Sequence, residues 1–308
     1  MSVRPELLAV PSYAFRPRPE AVKLDQNESP YDLPEDLKAV VLARFARLAF
    51  NRYPELDGRS LRARLAELHD WPSEGVVLAG GSNVLIQALV IAAGLGRRVL
   101  SVTPTFSVYA LQAQLCGARL SECPLEPDFS LPTAALEREL ASGEGVFFLA
   151  QPAAPTGNAH PWEAIGRLAG AAAGRWLFVL DEAYVQFGEG DALELLRRHP
   201  QLVSLRTFSK AFGFAGLRLG YALAQPEVAR ELQKVILPFS VSALQLAAGE
   251  VALEHADLVR ERVREARRER ERVFAALAAL PGATPYPSAT NFVLFRVPDA
   301  GATHAGLL

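Results

Sequence analysis

The sequence of 308 residues predicts an α/β protein built on a mostly parallel, doubly wound sheet, followed by a smaller, curtailed α/β domain. Three observations carry this. Between residues 76 and 224, short apolar runs alternate with stretches of helical spacing, as strands covered on both faces require. Half of the residues are apolar and 21% are charged, so the chain can bury a large core. Beyond Pro226 the pattern turns helical and ends in a long charged stretch, which marks a change of domain.

The elements follow in order. Residues 1–30 hold prolines at 5, 11, 17, 19 and 30 and read as an arm rather than a folding unit. Helical spacing covers 37–48 and 60–68, interrupted by Asn51-Arg52-Tyr53-Pro54. Strands are expected at 76–78, 98–103, 120–124, 146–150, 176–180, 202–205 and 219–224. Helices are expected between them, at 82–93, 107–116, 132–141 and 163–173. An Ala-rich helix spans 241–253, and the charged helix 257–280 reads as a solvated connector. A strand at 290–297 completes the set. The expected organisation is an arm (1–30), a large domain (31–256) and a small domain (257–308).

Composition excludes several classes of partner. The net charge is −2 and the Arg-rich runs are balanced by Glu, which argues against nucleic acid. No run is apolar for long enough to span a bilayer, and the N-terminus lacks a signal-peptide core. Two cysteines, Cys116 and Cys123, form neither a disulfide framework nor a metal site, so a reducing, cytoplasmic location fits. None of the five histidines falls in a motif.

In a sheet of this kind ligands sit beyond the carboxyl ends of the strands. The polar residues gathered there form one constellation. Gly80-Gly81-Ser82-Asn83 joins a strand to a helix, where free N–H groups and the positive helix end favour a phosphate. Asp181 ends the most apolar strand and Tyr184 follows it. Lys210 lies among Phe208, Phe212 and Phe214, with Ser209 beside it and Arg218 eight positions on. A lysine in apolar surroundings has a lowered pKa and serves as an amine nucleophile that forms Schiff bases. A phosphate cradle, a carboxylate, a tyrosine, a desolvated lysine and an arginine together suit pyridoxal phosphate. Phe106, in Pro104-Thr105-Phe106, is placed to stack on its ring.

At these residues the chain resembles the fold-type I (class I/II) aminotransferases, and within them the histidinol-phosphate branch. The matching segments are KLDQNESPY (23–31), NRYPE (51–55), GGSN (80–83), PTF (104–106), APTG (154–157), VLDEAY (179–184), TFSKAF (207–212) and GLRLG (216–220). The resemblance implies that Lys210 carries the cofactor and that Asp181 partners its ring nitrogen. It implies that Tyr184 donates to the phenolic oxygen. Gly81, Ser82, Asn83, Ser209 and Arg218 would hold the phosphate, and Phe106 would stack. Tyr53 would reach the phosphate of a neighbouring subunit in a homodimer. Tyr13 and Asn27 would face a small phosphorylated amine substrate, with glutamate and 2-oxoglutarate as the second pair.

Departures from the family pattern keep alternatives in view. The family's Asn-Asn-Pro-Thr-Gly is Ala153-Ala154-Pro155-Thr156-Gly157 here, so Ala154 replaces a donor to the ring oxygen. Asn83-Val84 replaces the Asp-Glu that often follows the cradle serine. The family's C-terminal strand, whose arginine binds the substrate's anionic group, has no counterpart in these residues. The alternatives are a decarboxylase similar to the threonine-phosphate enzymes and a catalytically impaired pyridoxal-phosphate-binding relative.

Overall fold

The computed structural model describes residues 3–8, 10 and 22–307; Tyr13 lies outside the described residues. Seven of the apolar runs become one sheet: β1 (Val76–Ala79), β2 (Arg98–Thr103), β3 (Arg119–Pro124), β4 (Gly145–Ala150), β5 (Trp176–Asp181), β6 (Leu202–Thr207) and β7 (Gly220–Leu223). Their order is β1-β7-β6-β5-β4-β2-β3. Strands β2 to β6 pair in parallel, and β7 runs against both of its neighbours. Parallel pairing demands crossovers, and helices such as Val108–Cys116, Thr133–Ala141 and Trp162–Ala172 supply them.

Alternation along the strands divides the core in two. Leu78, Leu100, Phe147, Phe178 and Tyr221 face one layer of helices. Val77, Val99, Phe148, Val179 and Ala222 face the other. Strands β4 and β5 are buried along nearly their whole length, which is why they read as continuous apolar runs. Phe147 stacks on Phe178 across these strands at 4.6 Å. Cutting either ring back to alanine would cost about 3–5 kcal/mol.

One charged cluster sits inside this apolar frame. Glu182 follows Asp181 and is fully buried. It accepts hydrogen bonds from Ser204 Oγ, from Arg206 Nε at 3.1 Å and from the Ala192 amide at 2.8 Å. Arg206 Nη2 lies 2.9 Å from Glu182 and 3.2 Å from Asp191. His69 Nε2 meets Tyr221 Oη at 2.9 Å. Burial holds the His69 imidazole down to about 3, so it stays neutral beside Arg206.

Three expectations need correcting. The segment at 290–297 is not a continuous strand: only Phe295–Arg296 pairs, with Thr284–Pro285. Side-chain hydroxyls take its backbone instead, since Ser288 Oγ and Thr290 Oγ1 both donate to the Phe292 carbonyl. The charged helix, observed as Ala256–Ala278, is not solvated all round. Arg267 donates to the carbonyls of Gln186 and Gly188, and Arg270 to those of Phe187 and Thr290. Helix Pro226–Val235 and the short helix Leu193–Arg198 were not foreseen as separate elements.

Candidate active site

The site is assembled at one edge of the sheet, where β1, β2, β4, β5 and β6 end and the antiparallel β7 begins. A cavity of about 510 Å³ opens there. Its lining brings together Ser82 and Asn83 after β1, Phe106 after β2, Asp181 and Tyr184 at β5, and Ser209, Lys210 and Arg218 between β6 and β7. These residues are up to 136 positions apart in sequence, counting from Ser82 to Arg218.

Asp181 lies at the bottom and is 6% exposed. Its Oδ2 accepts the Tyr109 hydroxyl at 2.7 Å and its Oδ1 the Ala183 amide at 3.1 Å. Burial pushes the carboxyl up to about 6, against these two hydrogen bonds, which favour the anion. Among the described residues no lysine, arginine or histidine forms an ion pair with it; Lys210 contributes only a weak long-range attraction. A buried carboxylate that faces a cavity with no paired cation is a place for a cationic ligand group.

Lys210 reaches into the same cavity. Its Nζ donates to the Gln26 carbonyl at 2.6 Å and lies 5.6 Å from the centre of the Tyr184 ring. Burial lowers its pKa, and Glu28 opposes that shift. The expected cause was different in detail. Phe208, Phe212 and Phe214 do not wall the amine: they are buried in the core, with Phe208 and Phe212 centres 4.5 Å apart. The lysine sits between them in sequence but points the other way, over Tyr184.

At the opposite end the cradle forms from β1, β6 and β7. Gly81 has φ +99°, a conformation that favours glycine, and lies beside Arg218, whose Nη2 would be 2.6 Å from a Cβ placed there. Helix Ser82–Leu89 starts at this point, and the Gly81 N-cap offers no side chain to its first N–H groups. Arg218 Nη1 donates to Ser209 Oγ at 3.4 Å, and Thr207 Oγ1 donates to Ser209 Oγ at 3.0 Å. Two hydroxyls, an arginine and a helix N-terminus suit a dianionic phosphate.

The remaining expected residues are placed as follows. Tyr53 is 82% exposed, does not line its own chain's cavity, and stacks on Phe239 at 4.7 Å. Asn27 turns its amide to Tyr184 Oη at 3.2 Å. Ala154 lines the cavity and packs with Tyr184 and Phe292. Tyr109 was missed by sequence reasoning. It is fully buried, stacks on Phe148 at 4.8 Å and meets Phe106 edge-on at 5.7 Å. Its place three residues after Phe106, in the first turn of a helix facing the β5 end, was the available signal.

The family model for aminotransferase class I and II matches residues 19–305. The chain belongs to this family. The aminotransferase is 46% identical over 308 residues to histidinol-phosphate aminotransferase of Deinococcus radiodurans, covering 99% of this chain and 85% of that protein. It is 40% identical over 294 residues to the enzyme of the same name from Thermococcus kodakarensis, covering 96% and 85%. Among solved structures, histidinol-phosphate aminotransferase from Sinorhizobium meliloti in complex with pyridoxal-5'-phosphate superposes with a TM-score of 0.87 at 26% identity, covering 98% of this chain and 84% of that one.

Proposed function

We propose that this aminotransferase binds pyridoxal phosphate on Lys210 and exchanges the amine of L-histidinol phosphate with 2-oxoglutarate, yielding imidazole acetol phosphate and L-glutamate. The cofactor reading rests on one observation: a desolvated lysine, a buried carboxylate without a paired cation and an arginine–serine cradle line a single cavity. The substrate reading rests on relatives of that name at up to 46% identity over nearly the whole chain.

The residues fit the cofactor. When bound, pyridoxal phosphate supplies an aldehyde that takes up an amine and a protonated ring that accepts electrons. Arg218, Ser82, Asn83 and Ser209 would hold its phosphate, with Gly81 leaving room. Asp181 would keep a proton on the ring nitrogen, and Tyr109 holds that carboxylate through its hydroxyl. Phe106 offers a ring face. Lys210 Nζ, whose pKa burial lowers, would take a proton from the substrate carbon beside the amine and deliver it to the cofactor carbon that carried the aldehyde oxygen. Tyr184 lines the same cavity, beside Lys210.

We read residues 31–256 as the cofactor-binding domain, 257–308 as part of a smaller one, and 1–30 as an arm. A second copy would bring Tyr53 to the cradle. The exposure of Tyr53, together with that of Phe50, Leu56 and Leu237, supports an apolar contact surface. Sedimentation should give a dimer; a monomer with full cofactor affinity would remove Tyr53 from the site. Among the described residues no helix is long and apolar enough to cross a membrane, and a cytoplasmic location is part of the same reading.

The deciding assay supplies glutamate and imidazole acetol phosphate and follows amine transfer. The reading expects glutamate-dependent formation of histidinol phosphate and no carbon dioxide from phosphorylated amino acids. Carbon dioxide release without transfer would favour the decarboxylase, and neither activity in pyridoxal-phosphate-loaded protein would favour a binding relative.

A further inference from the structure

We propose that Asn27 and Asn291 are positioning residues that fix the direction and strength of the Tyr184 hydroxyl as a donor into the cavity. The inference rests on the cofactor reading above and concerns a role for Asn27 other than facing substrate.

The hydrogen-bond directions carry the argument. Asn27 Nδ2 donates to Tyr184 Oη at 3.2 Å. A phenol has one proton and can accept at its oxygen. An oxygen that already accepts from an amide keeps its own proton to give elsewhere, and Tyr184 lines the cavity. Accepting one bond also strengthens the bond that is donated. Among the described residues no other side chain hydrogen-bonds to Tyr184 Oη, and the nearby Ala154 offers only a methyl group.

Asn27 is itself held. It has φ +51°, a left-handed conformation that asparagine tolerates better than most residues. Its carbonyl accepts from Asn291 Nδ2 at 3.0 Å. Phe292, next to Asn291, meets the Tyr184 ring edge-on at 5.3 Å and sets its plane. Asn27 directly, and Asn291 and Phe292 through Asn27 and the ring, thus hold one hydroxyl from two segments remote in sequence.

A donor to the cofactor's phenolic oxygen stabilises negative charge there and lowers the pH midpoint of the cofactor's visible absorption. The test is a spectrophotometric pH titration of pyridoxal-phosphate-loaded protein. Asn27→Gly keeps the left-handed backbone and removes the amide. It should raise the midpoint by about 0.5–1 pH unit, one neutral hydrogen bond's worth. Asn291→Leu should raise it by less, in the same direction, and carries the test if Asn27→Gly takes up no cofactor. Tyr184→Phe should raise it more, and adding Asn27→Gly to that variant should change nothing further. An unmoved midpoint in Asn27→Gly, or an equal shift with and without the Tyr184 hydroxyl, overturns the proposal. A wild-type protein that takes up no cofactor overturns the cofactor reading as well, so the two failures are distinct.

Discussion

Replacing Asp181 by asparagine should stabilise the cofactor-free protein, and only at neutral and alkaline pH. Asp181 is buried, lacks an ion pair among the described residues, and has its carboxyl raised from an ordinary 3.8 to about 6 by desolvation. The folded state therefore binds this proton more tightly than the unfolded chain does. Below pH 3.8 both states are protonated and burial of the group costs nothing in linkage. As pH rises from about 4 to about 6 the folded state loses stability relative to the unfolded one, and above that the loss is complete. At about 1.36 kcal/mol per pH unit, the gap amounts to roughly 3 kcal/mol. Asparagine has no proton to lose; its oxygen can keep the Ala183 amide while its NH2 donates to Tyr109 Oη, as the protonated carboxyl would. Urea denaturation of the two cofactor-free proteins at pH 4.5 and pH 8 measures the difference. Asp181→Asn should match wild type within about 1 kcal/mol at the lower pH and exceed it by roughly 3 kcal/mol at the higher. A variant that is less stable at pH 8, or a difference that does not change with pH, would refute the reasoning.

Two further predictions concern the surroundings of the site. Arg206→Met leaves Glu182 buried and unpaired, and should lower unfolding free energy by about 3–5 kcal/mol in urea titrations; Arg206→Met with Glu182→Leu should recover most of it. Ala154→Asn places a donor beside Tyr184 and should lower the midpoint of the cofactor's visible absorption by about one pH unit, whereas an unchanged midpoint would mean that Ala154 is a packing choice only.

The sheet was legible because its strands, the edge strand β3 apart, are buried on both faces, so their apolar runs stand out against the helices. Asp181 and Lys210 were legible because each stands at or just beyond the carboxyl end of such a run, where ligands of a parallel sheet sit. Tyr109 was not, since a tyrosine on an apolar helix is ordinarily core, and its one polar bond is to a residue 72 positions away. The grip of Arg267 and Arg270 on the 186–188 carbonyls was hidden for a related reason. Charge patterning reveals that a helix is polar but not which carbonyls its arginines reach. The aromatic wall expected around Lys210 failed because the chain leaves β6 at Thr207 and turns, with the Gly213 amide on the Lys210 carbonyl and the Phe214 amide on that of Phe208, so sequence neighbours need not share a direction: Phe208 and Phe212 turn into the core while the lysine turns to the cavity. Apolar content alone suggested a strand at 290–297, but the hydroxyls of Ser288 and Thr290 compete for the backbone there.

The central claim is that Lys210 is the residue that holds pyridoxal phosphate. Borohydride reduction of the cofactor-loaded protein, followed by proteolysis and mass spectrometry, tests it directly. The account predicts a single pyridoxyl-modified peptide containing Thr207-Phe208-Ser209-Lys210, and no modification in Lys210→Ala. Modification of Lys23, Lys38 or Lys234 in place of Lys210, or no modified peptide from protein saturated with cofactor, would contradict it.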